Sequence, residues 1–539
     1  MKNSCQYQDL FDLGEDKSQY RLLSQEHVSV ESSGAETCLK IRPEALTWLA
    51  REAFKDVSFY SRASHLEKLA AILDDPESSG NDRFVALALL QNAVTAAEGV
   101  LPMCQDTGTA VVFARKGECV RTGARDEEFL SKGICEAFGN NYLRYSQLAP
   151  LSMFEEKNTG TNLPAQIEIH SEPGAEYRFL FLAKGGGSSN KTFLYQETKA
   201  LLNEKRFLEY MRAKLLDLGT AACPPYHIAV VVGGLSPEMN LKCVKLAAAG
   251  YYDGLPVSGD PSGRAFRDLE WEQRLFRLCR ESEIGAQFGG KYLAHDVRVI
   301  RLPRHAASCP VGIGVSCSAD RNIKAKITSD GIFLEQLETN PKRFLNQTVV
   351  SDRAGAEIDL DRPIPDVLKQ LSGCPVGARV NLSGTVVVAR DAAHSKIVQG
   401  LREGKPLPEY VLKHPVFYAG PAKSPPGTPI GSFGPTTSAR MDDYAEELMS
   451  RGASLVMIGK GNRSKAVKDA CRKYGGFYLG TIGGAAALFA KEKVLSAKVI
   501  DFKDLGMESV LELKIRSFPA FIVYDHQGND FFEKISSEV

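Results

Sequence analysis

Apolar residues recur at i, i+3 and i+4 over residues 65–73 and 84–98, so the first hundred residues read mostly as helix. Short apolar runs at 110–114, 179–183 and 227–232 read as buried strands, and a long helical pattern over 196–218 stops at Gly219. The texture changes near residue 337. Residues 339–375 are polar, with scattered Pro and Asp and weak periodicity, which predicts a linker. Beyond it strands at 380–389, 455–458 and 477–482 alternate with helical segments such as 393–403, which Asp391 is placed to cap. The pattern predicts an α/β chain (mixed α+β) of two domains. Residues 1–338 form the larger, helix-rich one, 339–375 the linker, and 376–539 a smaller α/β domain.

The length supports that division, because 539 residues exceed what one core usually serves. Lys+Arg 66 balances Asp+Glu 66, which removes the electrostatic argument for a nucleic-acid partner. No window reaches the roughly 20 uninterrupted apolar residues of a membrane helix. Asp9, Asp12, Glu15 and Asp16 precede any apolar stretch, unlike a signal or transit peptide, so a cytoplasmic location is expected. The 12 cysteines are scattered with no C-x-x-C pair, which disfavours a compact zinc knuckle and leaves most of them, such as Cys279, as small core residues.

Four stretches look too specialised for scaffold. Cys104-Gln105-Asp106-Thr107-Gly108 offers a thiol, an amide, a carboxylate and a hydroxyl within one turn, though an ordinary polar turn would read the same way. Lys184 to Thr192 places Gly185, Gly186 and Gly187 before small hydroxyls, where backbone N–H groups can converge on an anion at a helix start. It is not a Walker A loop, since Asn190 precedes Lys191. Cys223 in a Pro-rich loop and Cys317 after a Gly-rich run, with His305 between them, suit a metal group held from separate loops. That spacing alone is weak. In the second domain, Arg440 opposes the dipole of the helix expected to start near Thr437 unless an anion shares its site. Arg390 and Lys460 each follow a strand, at the ends where α/β sheets gather ligands.

With these residues in view, the chain resembles the class I, iron–sulfur fumarate hydratases. The likeness is densest at 102–110, 184–196, 312–326 and 431–484, including the run GSFGPTTSARMDDYAEELMSRGASLVMIGKGNRSKAV. The resemblance implies a hydro-lyase that interconverts fumarate and (S)-malate. It assigns Cys104, Cys223 and Cys317 to three irons of a [4Fe–4S] cluster in the first domain and leaves the fourth iron open as a Lewis acid. It gives substrate contacts to Gln105, Asp106, Arg144, Gly187, Arg390, Thr436, Arg440 and Lys460, puts His305 near the chemistry, and implies a homodimer. Thr436 is the family-like base, with Asp106 or His305 as relay or alternative. An Asp with an ordinary pKa near ~4 would need burial to raise it before it could take a proton from carbon. Dehydration of tartrate or hydration of mesaconate on the same scaffold is the nearest rival; a phosphate- or zinc-binding protein is more distant.

Overall fold

The computed structural model describes residues 7–33, 36–345 and 355–538. It is a mixed helix-and-sheet molecule of two domains, and among the described residues no helix is long and apolar enough to cross a membrane. The first domain holds two main sheets. A six-stranded sheet is built on Thr109–Gly117 and Tyr177–Lys184, and a five-stranded sheet has Tyr226–Gly234 at its centre, parallel to Ala294–Arg304 and antiparallel to Cys309–Ser316. Tyr226–Gly234 is buried at every position, which explains its apolar run over residues 228–232.

The second domain is a seven-stranded sheet in which Arg379–Val388, Val416–Phe417, Val456–Gly459 and Phe477–Gly480 run parallel. Its core reaches back into the first domain's sequence. Helices Ala63–Asp74 and Gly80–Ala96 bury Leu66, Leu69, Val85 and Leu89 in the same apolar cluster as Phe489 and Phe521. Phe288 stacks on Phe521 with ring centroids 4.0 Å apart. A boundary near residue 338 therefore follows the chain but not the packing.

The expected linker is largely structured. Ala356–Asp359 pairs parallel with Arg379–Val388 as the sheet's edge strand, and helix Ile364–Ser372 covers it with Val367 and Leu371 buried. Four strand residues and a nine-residue helix entered through Pro363 are too short to show a period. Residues 346–354 of that stretch, and 1–6 and 539 at the ends of the expected domains, lie outside the described residues. Residues 196–218 differ too. Strand Phe193–Glu197 and a 3-10 turn Lys199–Leu201 precede the helix, which begins at Glu204 behind an Asn203 cap. The antiparallel strands Val28–Ser33 and Glu36–Ile41 were hidden in a region that reads as helix.

Candidate active site

Strand register brings the specialised loops of the first domain to one place. Thr109 pairs with Lys184 and Asn322 with Leu182, so the Cys104 loop, the glycine loop and residues 317–321 leave the six-stranded sheet at the same end. In the other sheet His227 pairs with Ser316, which puts Cys223, before one strand, beside Cys317, after its antiparallel neighbour. The Ser318 N–H donates to the Cys223 carbonyl at 3.1 Å. Cys104, Cys223 and Cys317 are close enough to act on one another electrostatically.

Burial pushes the Cys104 thiol up to about 11 and raises that of Cys223. Three thiolates here need cations, and two buried ones face them. The Lys460 ammonium donates to Cys223 Sγ at 2.8 Å. Burial disfavours its charge, but the cysteines hold its pKa above the usual lysine value. Arg321, 6% exposed, is opposed by burial and raised by Cys104, Cys317, Asp106 and Cys223. Its Nε has no hydrogen-bond partner among the described residues. Gly483 lies against the thiol: a Cβ there would fall 2.3 Å from Cys223 Sγ. Among the described residues the only three metal-ligating atoms mutually within 4.8 Å belong to His65, His227 and Asp320. Three thiols brought together from separate loops are a donor set that suits an iron–sulfur cluster.

Around the thiols the polar residues are fixed in turn. The Gly186 N–H donates to Asp106 Oδ2 at 2.8 Å and the Gly108 N–H to Oδ1 at 3.2 Å. The glycine loop is a four-residue helical turn, Gly186–Ser189, followed by a strand rather than a long helix, and the anion that it meets is this carboxylate. Burial pushes Asp106 up, but Arg144 (3.7 Å away), Arg321, the Gly186 N–H and Lys460 outweigh it and hold the group below its ordinary value. The upward shift that a basic Asp106 requires is absent. Gln105 donates from Nε2 to the Pro435 carbonyl at 3.0 Å, next to Thr436 on the second domain. A Cβ on Gly187 would lie 3.5 Å from the Ala221 carbonyl oxygen and 3.9 Å from Lys460 Nζ, so the glycine loop passes beside the lysine.

The second domain supplies the remaining cations from strand ends. Arg390, 4% exposed, is held by the Glu508 carboxylate at 2.6 Å and by the Met507 carbonyl. Burial lowers it to about 10, Glu508 opposes that, and the neighbouring charges of Arg144 and Arg440 add to the lowering. Arg440 donates to Thr436 Oγ1 at 2.6 Å, and Asp391, 3.2 Å away, is the anion that balances it near the helix start. The 3-10 turn Ser438–Met441 leads into helix Asp442–Met449, and Thr437 makes no side-chain cap. Asp391 makes none either; it lies in the first turn of Asp391–Arg402. His305 does not join this group within one chain. It is exposed, on the turn after Ala294–Arg304, at the opposite end of Cys309–Ser316 from Cys317 and thus about 25 Å away at 3.3 Å per strand residue. Sequence reasoning missed Arg321, Glu508 and Gly483. Arg321 stands four residues after Cys317, but no period marks it as facing inward.

Comparison with known proteins bears on this arrangement. The family described as fumarate hydratase (Fumerase) matches residues 47–326, and that described as Fumarase C-terminus matches 331–535. The chain is 54% identical over 531 residues to an Escherichia coli protein named "Fumarate hydratase class I, anaerobic", covering 98% of this chain and 97% of that one. It is 56% identical over 498 residues to "Fumarate hydratase 2" of Leishmania major, covering 92% and 88%. A Methanocaldococcus jannaschii protein named "Putative L(+)-tartrate dehydratase subunit beta" is 35% identical over 175 residues, 32% of this chain and 90% of that one.

Proposed function

Since this chain belongs to the class I fumarate hydratase family and is a hydro-lyase, we propose that it interconverts fumarate and (S)-malate at the junction of its two domains. On this reading Cys104, Cys223 and Cys317 hold a [4Fe–4S] cluster. The bound cluster supplies a Lewis acid for the hydroxyl of malate. The observation that carries the reading is the 2.8 Å contact of Lys460 with Cys223, which sets a strand-end cation of the second domain against the thiols of the first.

The residues divide the remaining work. Fumarate is a dianion, and Arg390, Arg144 and Arg440 offer planar forks that match carboxylates. Arg390 arrives pre-oriented by Glu508, so little freedom is lost on binding. Asp106, with both oxygens occupied and its charge stabilised, orients the glycine loop and Arg144 rather than taking a proton. Thr436 is the group that exchanges the C3 proton. Arg440 donates to Thr436 Oγ1, which stabilises negative charge on that oxygen, so the hydroxyl can give its proton in hydration and recover it in dehydration. His305, far from these residues in its own chain, serves the site of a second copy in a homodimer. A cytoplasmic location completes the reading. The tartrate reading rests on the Methanocaldococcus relative, which matches only 32% of the chain.

The test is an absorption spectrum of protein purified without oxygen, with turnover measured on malate, tartrate and mesaconate. A broad visible shoulder that bleaches in air, with fumarate formed from malate in preference, supports the proposal. A colourless protein without iron or sulfide after anaerobic reconstitution overturns the cluster, and faster turnover of tartrate overturns the substrate.

A further inference from the structure

Behind the thiol loops lies a second group of ligating side chains that the proposed reaction does not use. His65 on helix Ala63–Asp74 and His227 on strand Tyr226–Gly234 are 3% and 4% exposed, and their facing nitrogens, Nδ1 of His65 and Nε2 of His227, are 3.1 Å apart. The outer nitrogen of each ring is committed. Nε2 of His65 faces the Ser318 carbonyl at 2.9 Å, and Nδ1 of His227 faces the Asp296 carboxylate at 2.9 Å. A carbonyl and a carboxylate only accept, so both outer nitrogens carry the protons. In the neutral rings the two facing nitrogens are therefore both lone pairs, pointed at each other with no hydrogen between them. Such a contact requires a positive centre.

A third ligand, the Asp320 carboxylate, lies alongside, with its Oδ2 also 3.6 Å from Arg62 Nη1. Asp320 Oδ2 lies 3.9 Å from His227 Nε2, and the ligating atoms of all three residues fall within 4.8 Å of one another. Its other oxygen is held by the Asn322 amide at 2.9 Å and the Ser316 hydroxyl at 3.3 Å. Asp296, the outer partner of His227, is itself braced by Arg298 at 2.7 Å and by Lys68. A carboxylate on the far nitrogen of a histidine is the usual support of a metal-bound imidazole. Nitrogens 3.1 Å apart subtend about 100° at an ion ~2.05 Å from each, close to a tetrahedral angle. Nε2 of His295, whose ring centroid is 5.1 Å from that of His65, is shielded from solvent and has no hydrogen-bond partner among the described residues. A cavity of about 470 Å³ lined in part by His65, His227, Asp320, Lys68 and Arg62 gives access from outside.

We propose that His65, His227 and Asp320 bind a divalent first-row transition ion, zinc or ferrous iron, at a site separate from the three cysteines. Two imidazoles and one carboxylate are a borderline donor set suited to either ion. The ion joins helix Ala63–Asp74, which packs on the second domain's core, to the strand and loop that carry Cys223 and Cys317.

Cobalt(II) is the probe. Metal-free protein carrying Cys104→Ser, Cys223→Ser and Cys317→Ser takes up one cobalt ion per chain, with ligand-field bands in the visible and no sulfur-to-cobalt charge transfer. Adding His227→Gln or Asp320→Asn to that background weakens uptake by at least about 10-fold. Zinc-loaded wild-type protein gives an independent readout by X-ray absorption: nitrogen and oxygen neighbours at the zinc with no sulfur. Metal analysis of the protein as isolated then separates zinc from iron. The proposal is overturned if the wild-type zinc has sulfur neighbours, if the His227 and Asp320 variants bind cobalt as tightly as their parent, or if nitrogen NMR finds the gap filled by a proton.

Discussion

Thr436 and Arg440 show what a single contact contributes. A neutral hydroxyl is a poor acid or base, and in the proposed mechanism Arg440 Nη2, 2.6 Å from its oxygen, shifts that balance. Thr436→Ala is expected to lower turnover on malate by about 10²–10⁴-fold, the usual worth of a general acid or base, while Thr436→Ser keeps much of it. Near wild-type turnover in Thr436→Ala would take the residue out of the mechanism. Gly483→Ala acts on the other side of the site. Its Cβ would lie 2.3 Å from Cys223 Sγ, so the purified variant is expected to carry less iron and sulfide per chain at unchanged helix content. His394 has a different consequence. Burial brings it from the ordinary 6.5 down to about 4, with the Arg390 carbonyl opposing. The unfolded chain therefore takes up this proton at a higher pH than the folded one. Stability is full above about pH 6.5 and declines as the pH falls toward 4, by about 3 kcal/mol from this group. A denaturant midpoint that depends less steeply on pH in His394→Gln than in the wild type would confirm it.

At the scale of elements, one helix is completed by another. Helix Ala486–Glu492 has no side-chain cap of its own, and Asn92 on Gly80–Ala96 accepts from the Ala487 and Leu488 N–H groups at 2.8 and 3.1 Å. The same amide donates to the Met103 carbonyl, one residue before Cys104. Asn92→Leu leaves buried donors unpaired, and a loss of about 1–3 kcal/mol is expected in chemical denaturation. Sequence patterns found the long or fully buried elements, such as Thr109–Gly117, Tyr226–Gly234 and Arg379–Val388, because their apolar runs are dictated locally. They missed Ala356–Asp359 and Val28–Ser33, whose strand character comes from a partner strand rather than from their own periodicity.

For the whole molecule, the question is which copy of the chain supplies each part of a site. His305 and Thr436 serve one site only if it is shared between two copies. Mixing chains with His305→Asn and chains with Thr436→Ala, each inactive alone, is expected to restore about a quarter of wild-type turnover after subunit exchange, since half the dimers are mixed and each has one intact site. No restoration would place both residues in one chain's site, and wild-type turnover of His305→Asn by itself would place His305 outside the reaction. The candidate ligands Cys104, Cys223 and Cys317, the glycine loop and the cations Arg390, Arg440 and Lys460 were all legible in the sequence, because loops with unusual chemistry stand out against scaffold. So was the α/β character of the second domain, which follows from local alternation. Tertiary structure alone decided that Arg321 faces the thiols, that neighbouring cations hold the Asp106 carboxyl below its ordinary value, and that two early helices belong to the second domain's core. Each of these depends on which charges and apolar faces meet across long stretches of chain. Spacing along a sequence carries no record of that, since burial and electrostatics act through space.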